Sequence, residues 1–433
     1  MNGIEEPRRA DLAGPAAAIT QRIAAVRRRA ETAKAVHFPS TVQRDPELVQ
    51  IHAEAGRFYQ ACLHGSWVPK YLASRGLDAA LLPSSPWKIG YAPATWTALT
   101  DHLRRLGHSD AALLCSGLVV NGKNGQLRDL FRDRLMIPLR AEDGYVVAFI
   151  GRRHPDVGDD HGPRYLNSPD TELFAKGMVL AGLAEGSGFF ARGAQPVLVE
   201  GPLDAIAVSL ASGGDFAGVA PCGTALTGDQ VAALARTVDL RERGIRVALD
   251  GDPAGRRAAV RAYQHLAPLA DPVAVTFPDG SDPADVLRAD GRQGLHDVLC
   301  RSVRSLADLA VDAAMGEWAH GRELVFAELQ MGALRAAARV IAAMPEDHIG
   351  PQAGRMCALY SEQYDWSPGE VTAEIIAGIE RHFDAGVRIQ PSPWVVATRA
   401  AAPPRQRPAV LADSGETQGR RLRLVPQAQA GRG

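Results

Sequence analysis

The chain has 433 residues, 46% of them hydrophobic and 22% charged, with a formal net charge of −1. That length exceeds one ordinary core, so two or three domains are expected, and the near-zero charge excludes a global attraction for polyanions; any such binding has to come from local patches. Five single cysteines without a CxxC pair exclude a zinc ribbon and argue against a disulfide framework.

Residues 1–45 hold one expected helix, Ala16 to Ala35, which carries the basic run Arg27-Arg28-Arg29 and reads as a helical arm. Its beginning, MNGIEEPRRADL, has no apolar stretch behind the charges, and no apolar run approaches the roughly 20 residues of a membrane span. A cytoplasmic protein without a membrane partner is the expectation. From Pro46 two helices are expected up to Arg75-Gly76, then a second pair around Trp96–Leu106 and Asp110–Leu114. Strand patterns follow at Gln126–Leu130, Leu135–Pro138 and Tyr145–Ile150, with turns at Asn124-Gly125 and Asp143-Gly144. Residues 46–190 therefore read as an α+β subdomain.

Residues 191–294 change character. Short apolar runs at Pro196–Glu200, Val219-Ala220, Arg246–Asp250 and Pro272–Phe277 alternate with helical stretches through Ala211, at Thr227–Arg243 and at Ala254–Leu266. Strands alternating with helices of this length predict a parallel sheet with crossover helices, so the fold class is α/β within an α+β whole. Residues 295–388 read as helical throughout, and 389–433, rich in Pro, Ala, Gln and Arg, as a disordered basic tail.

The acidic residues sit where such a sheet binds ligands. Glu200 closes one apolar strand and Asp204 follows on the first turn of the next helix. Asp250 closes another strand, with Gly251 and Asp252 after it, and Asp282 and Asp285 stand past a third. Ligands of open parallel sheets bind outside the carboxyl ends of the strands, so these acids can converge. Crowded carboxylates without His or Cys select Mg²⁺ or Mn²⁺, and two such ions can clamp an in-line phosphoryl displacement. Glycines 201 and 251 are expected to let a phosphate or metal approach the backbone. The plain alternative for any single acid is a helix cap or a solvated turn, but that explains the whole series poorly.

The runs Val199-Glu200-Gly201-Pro202-Leu203-Asp204, Asp250-Gly251-Asp252-Pro253-Ala254-Gly255 and Pro278-Asp279-Gly280-Ser281-Asp282-Pro283 resemble the three acidic motifs of the TOPRIM domain, in its DnaG-type bacterial primase form. Upstream, Asp129–Pro138, Phe149–Arg153, Pro163–Pro169 and Phe174–Gly177 are similar to the same family in its own order, as are Lys70–Gly76 and Ile89–Pro93. The resemblance implies a TOPRIM-type sheet behind a primase subdomain. It implies Glu200 beside bound metal, Asp250 and Asp252 as main Mg²⁺ ligands, and Asp204 and Asp282 in support. Where the family often has Asp-Pro-Asp, this chain has Asp282-Pro283-Ala284-Asp285, so Asp285 stands at a shifted position.

A template-directed polymerase also needs cations facing its metals, and Arg132, Arg134, Arg152, Arg164 and Lys176, with Asn167, are the candidates for template and triphosphate. For Arg132 and Arg134 the alternative is a salt-bridge ladder with Asp133; for Asn167 it is an ordinary turn. The first 45 residues contain no cysteine, so the family's zinc module and zinc itself are expected to be absent, and no phosphate loop of a fused helicase is found. The expected activity is synthesis of short primers on single-stranded DNA from NTPs, in a plasmid, phage or integrated element. A replicative helicase or a separate template-selecting protein is the expected partner. A TOPRIM-type nuclease and a non-catalytic DNA-binding accessory protein remain the alternatives.

Overall fold

The computed structural model describes residues 44–122, 125–158, 162–221, 223, 225–250, 253–278, 280–320 and 322–384. The expected N-terminal helix, the basic tail, Gly251 and Asp252 lie outside them.

Helix α1 (Pro46–Ala61) starts where Asp45 accepts a hydrogen bond from Glu47 N at 2.8 Å and Pro46 supplies a fixed φ. Its buried residues Leu48, Ile51, His52, Ala55 and Tyr59 recur at helical spacing and form one apolar face. That face lies on an antiparallel sheet of order β1-β4-β5-β6, made of β1 (Gly90–Ala92), β4 (Arg134–Arg140), β5 (Val146–Arg153) and β6 (Tyr165–Asn167). Between α1 and the sheet's later strands come α2 (Val68–Ser74), α3 (Ala98–Arg105), α4 (Asp110–Cys115) and the hairpin β2 (Val119–Asn121) with β3 (Leu127–Asp129). Gly90 is obligatory at the crossing: a Cβ there would stand 2.6 Å from the Tyr59 backbone.

The second sheet has six strands in the order β12-β11-β10-β8-β9-β7. Strands β8 (Gln195–Leu198), β9 (Phe216–Pro221), β10 (Arg246–Val247) and β11 (Val273–Val275) are parallel, as the sequence pattern predicts. Both edges, β7 (Leu180–Ala181) and β12 (Val303–Ser305), are antiparallel. The reading of 295 onward as wholly helical is thus corrected by β12, a strand too short and too exposed to carry an apolar alternation.

The crossover helices are α6 (Pro202–Ala211), α7 (Gly228–Thr237), α9 (Pro253–Leu266) and α10 (Pro283–Arg301), with short helices α5 (Ser187–Ala191) and α8 (Leu240–Arg243). The stretch Thr227–Arg243 is two helices, because Val238 is extended and Asp239 begins α8 by accepting from the N–H groups of Arg241 and Glu242. Four helices follow: α11 (Leu306–Ala319), α12 (Ala327–Ala343), α13 (Glu346–Tyr364) and α14 (Pro368–Asp384).

Period-two alternation divides the six-stranded sheet between two cores. Val197, Val199, Phe216 and Ala220 join the core shared with α1, the first sheet, α6 and α10. Leu198, Ala217, Val219 and Val247 join the core built with α7, α9 and the four last helices.

Beside β7, the Glu185 carboxylate is buried; it accepts from Gly182 N at 3.1 Å, and Arg140 Nε stands 3.3 Å away. Burial outweighs those contacts and pushes the Glu185 carboxyl up from 4.5 to about 7. The folded chain therefore holds this proton more tightly than the unfolded one, and stability falls as pH rises between those two values. Glu185→Gln removes that penalty. Its thermal midpoint is expected to match the wild type near pH 4 and to exceed it above pH 7, with a gain of up to about 3 kcal/mol in a urea melt.

Candidate active site

The acids gather at the carboxyl edge of the parallel strands. Glu200 is exposed just past β8, and Asp250 is half-buried beyond β10. Helix α9 begins directly on the Asp250 backbone, since a Cβ on Gly255 would stand 2.2 Å from the Asp250 carbonyl oxygen. Asp204, in the first turn of α6, is buried, and a Cβ on Gly201 would lie 3.0 Å from its Oδ2. The vacant side of Gly201 therefore makes room for Asp204, a use that the sequence alone does not reveal.

Burial first, and then the neighbouring charges of Asp282 and Asp250, push the Asp204 carboxyl up to about 8, against a hydrogen bond from the Ala284 N–H and the charge of Arg75. Asp204, Asp250 and Asp282 thus share one electrostatic neighbourhood. Asp282 is also the cap of α10, its Oδ1 accepting from Asp285 N at 2.6 Å. Arg75, just after α2, reaches Asp285 Oδ1 at 3.1 Å and Asp282 Oδ1 at 3.7 Å. Asp285 is paired further with Arg288 at 3.4 Å. Among the described residues no three Asp, Glu, His or Cys side chains come close enough to hold one ion; Asp252 lies outside those residues.

The basic candidates divide into three kinds. Arg134 is buried, and its Nη1 donates to the carbonyls of Gly151 at 2.9 Å and Pro163 at 3.0 Å, tying β4 and β5 to the loop before β6. The Arg132 guanidinium carbon lies over the Trp96 ring, 3.7 Å from its centroid, and Arg132 Nη1 donates to the Asp129 carbonyl at 3.1 Å. Trp96 is 57% exposed, so that cation and ring face solvent together. Asp129 fixes this corner by accepting from Leu99 N, Thr100 N and Thr100 Oγ1 at 2.6–2.9 Å. Asp133 makes no ladder with its neighbours: at φ 48° it accepts from Trp67 Nε1 at 2.9 Å and from Tyr91 OH at 2.8 Å.

Arg152 sits over Tyr71 at 4.4 Å and Tyr165 at 5.8 Å, and the exposed Arg164 lies over Tyr165 at 5.6 Å. Burial raises the Tyr165 hydroxyl; Arg152 and Arg164 oppose that rise and Asp204 adds to it, so this ring lies within electrostatic reach of both cations and of one acid. Asn167, at the end of β6, reaches Gly223 beyond β9, where a Cβ would come within 2.9 Å of its Nδ2. Lys176 is held nearby through its backbone, its carbonyl accepting from Gln230 Nε2 at 3.1 Å and its N–H donating to Asp170 at 3.1 Å. Gln230 is itself part of the capping box of α7 with Thr227.

Sequence reasoning did not name Tyr71, Arg75 and Tyr165 as site residues. Tyr71 and Arg75 are four apart on one helical face, which was the available signal.

The family model for the DNA primase catalytic core, N-terminal domain, matches residues 58–187, and a Toprim-like model matches 197–287. A DNA primase of Mycolicibacterium smegmatis is 33% identical over 384 residues, covering 85% of this chain and 57% of that protein. A DNA primase of Streptomyces coelicolor is 37% identical over 258 residues, 58% of this chain and 39% of the relative. The chain thus spans 39% and 57% of the length of these two curated relatives. Among solved structures, the RNA polymerase domain of Mycobacterium tuberculosis primase DnaG superimposes with a TM-score of 0.61 at 31% identity, covering 73% of this chain and 99% of that domain.

Removing the Arg75 guanidinium takes the counter-charge from Asp282 and Asp285 and leaves Asp204 beside Asp282 with less compensation. Arg75→Ala is expected to cost roughly 1–3 kcal/mol in a urea melt, less than for a fully buried pair because water still reaches these side chains. Addition of Mg²⁺ is expected to recover part of that loss, read as a shift in the melting midpoint.

Proposed function

The chain belongs to the DnaG-type primase family, and from that premise we propose that it synthesises short primers on single-stranded DNA from NTPs. The observation that carries this reading is Tyr165, over whose ring Arg152 and Arg164 stand at 5.8 and 5.6 Å and whose hydroxyl also feels the Asp204 charge. A polymerase needs the two charge patterns side by side: cations for the backbone and triphosphate, carboxylates for divalent ions. Hydrolysis would need the carboxylates and a hold on the DNA backbone, but no further cations for a triphosphate.

Mg²⁺ or Mn²⁺ fits the donor set. The residues are hard oxygen ligands, and the Asp204 carboxyl, raised by burial first and then by the charges of Asp282 and Asp250, marks carboxylates that stand close together at this edge. Glu200, Asp250 and Asp252 would hold the ions, with Asp204 behind them; Asp282 and Asp285, drawn toward Arg75, would act through position and charge. When bound, the metal supplies charge neutralisation at the phosphoryl oxygens being transferred. The chain's own groups do the rest. Arg132 on Trp96 offers a guanidinium and a ring face to the template, Arg152 and Arg164 offer forked donors to phosphate, and the Lys176 loop is fixed on the cap of α7. Template, NTPs and a replicative helicase or separate template-selecting protein are the partners this reading names. No helix among the described residues is long and apolar enough to cross a membrane.

Incubation with single-stranded DNA, labelled NTPs and Mg²⁺ is expected to give short labelled oligonucleotides. Asp250→Ala should reduce them by about 100-fold or more while DNA binding is kept. Template shortening in place of product would overturn the proposal in favour of a nuclease. Arg132→Ala should weaken DNA binding across all sequences and reduce the slope of log affinity against log salt by about 1.

A further inference from the structure

Helix α2 joins the cationic and acidic halves of the site, and its placement is set from outside. It is only seven residues long, too short to hold its own shape in water, and no side chain caps its start. Trp67 stands just before it, Tyr71 within it and Arg75 just after it. The spacing of four puts these three side chains along one face, over about 12 Å. Each has a different duty. Arg75 meets Asp285 and Asp282, the Arg152 guanidinium lies over Tyr71 at 4.4 Å, and Trp67 Nε1 donates to Asp133 Oδ1 at 2.9 Å. Trp67 and Tyr71 are also joined directly: their ring centroids are 5.7 Å apart, and the Tyr71 N–H donates to the Trp67 carbonyl at 3.1 Å.

Asp133 is the fixed end of this series of contacts. It stands one residue before β4, and its Oδ1 also accepts from the Tyr91 hydroxyl, on the neighbouring strand β1, at 2.8 Å. Its N–H donates to the Pro93 carbonyl at 3.3 Å. Asp133 adopts φ 48°, a conformation that costs a residue with a side chain energy and persists where the surroundings enforce it. Glycine would take that conformation freely. What glycine lacks is the acceptor.

Arg152 depends on such a platform. It is buried, its Nη1 donates to the Arg153 carbonyl at 3.1 Å, and its Nε has no hydrogen-bond partner among the described residues. A buried guanidinium with an unpartnered donor is suited to an anion, provided that it is held in place before the anion arrives.

We propose that Asp133 is a positioning residue: through Trp67 it anchors α2, and so sets Arg152, by way of Tyr71, and Arg75 at the spacing that a triphosphate and its divalent ions require. The use made of the two halves rests on the primase reading; the anchoring of α2 does not.

The test compares Asp133→Gly, which keeps the backbone conformation and loses the acceptor, with Asp133→Asn, which keeps both. Hydrogen exchange of the full chain, followed by mass spectrometry on peptides covering 67–76, is expected to quicken about tenfold in Asp133→Gly and to keep the wild-type rate in Asp133→Asn. The affinity for inorganic triphosphate, measured by calorimetry without added metal, is expected to fall about fivefold in Asp133→Gly and to be kept in Asp133→Asn. On an Arg152→Ala background, Asp133→Gly should cause no further loss. Unchanged exchange in Asp133→Gly, equal losses in the Gly and Asn variants, or an undiminished loss without Arg152 would overturn the proposal. So would a wild type that does not bind triphosphate. A chain that makes no primers yet shows the expected pattern would keep the proposal and lose the primase reading.

Discussion

Arg75 is the counter-charge that lets the acidic edge exist in a folded chain. Asp204, Asp250 and Asp282 repel one another, and burial makes the ionised form of Asp204 costlier still. A guanidinium contributed from 210 residues away in sequence takes up Asp285, and Asp282 beside it, and these in turn fix the start of α10. The crowding is thereby reduced without being abolished. Under the proposed reading a divalent ion would bring further positive charge to this edge, whose supporting strands and helices are buried on both faces.

A similar division of labour governs the cationic half. All three of Arg132, Arg134 and Arg152 donate to backbone carbonyls, but Arg134 spends its Nη1 on two of them, whereas Arg132 and Arg152 each make one such bond and also lie on aromatic rings. An aromatic face fixes the direction of a guanidinium without taking up its charge. Asp133, placed between Arg132 and Arg134 in sequence, serves neither, and holds Trp67 and Tyr91 instead.

Much of this was legible in the sequence, for reasons that can be named. The apolar runs of β8 and β10 end in Glu200 and Asp250, and a parallel sheet puts its ligands at that end, so local pattern and topology agreed. Helices α1, α2, α6 and α9 announced themselves by period and by Pro near their first turns. The strand β12 did not, because three largely exposed residues carry no alternation. Nor did the separation of Arg134 from Arg132, for two arginines flanking one aspartate look alike until tertiary contacts bury one of them. The pairing of Arg75 with Asp282 and Asp285 was equally hidden, since nothing local in either segment points to the other.

The strand β8 has a consequence for how this architecture can change over time. Val197, and Val199 just past the strand, belong to one core and Leu198 to the other, so a single short strand is common wall to both. Neither half can be exchanged for a foreign module without exposing the apolar face that its neighbour covers. A change in the volume of one residue of this strand therefore shifts a wall that both cores share, and each feels it.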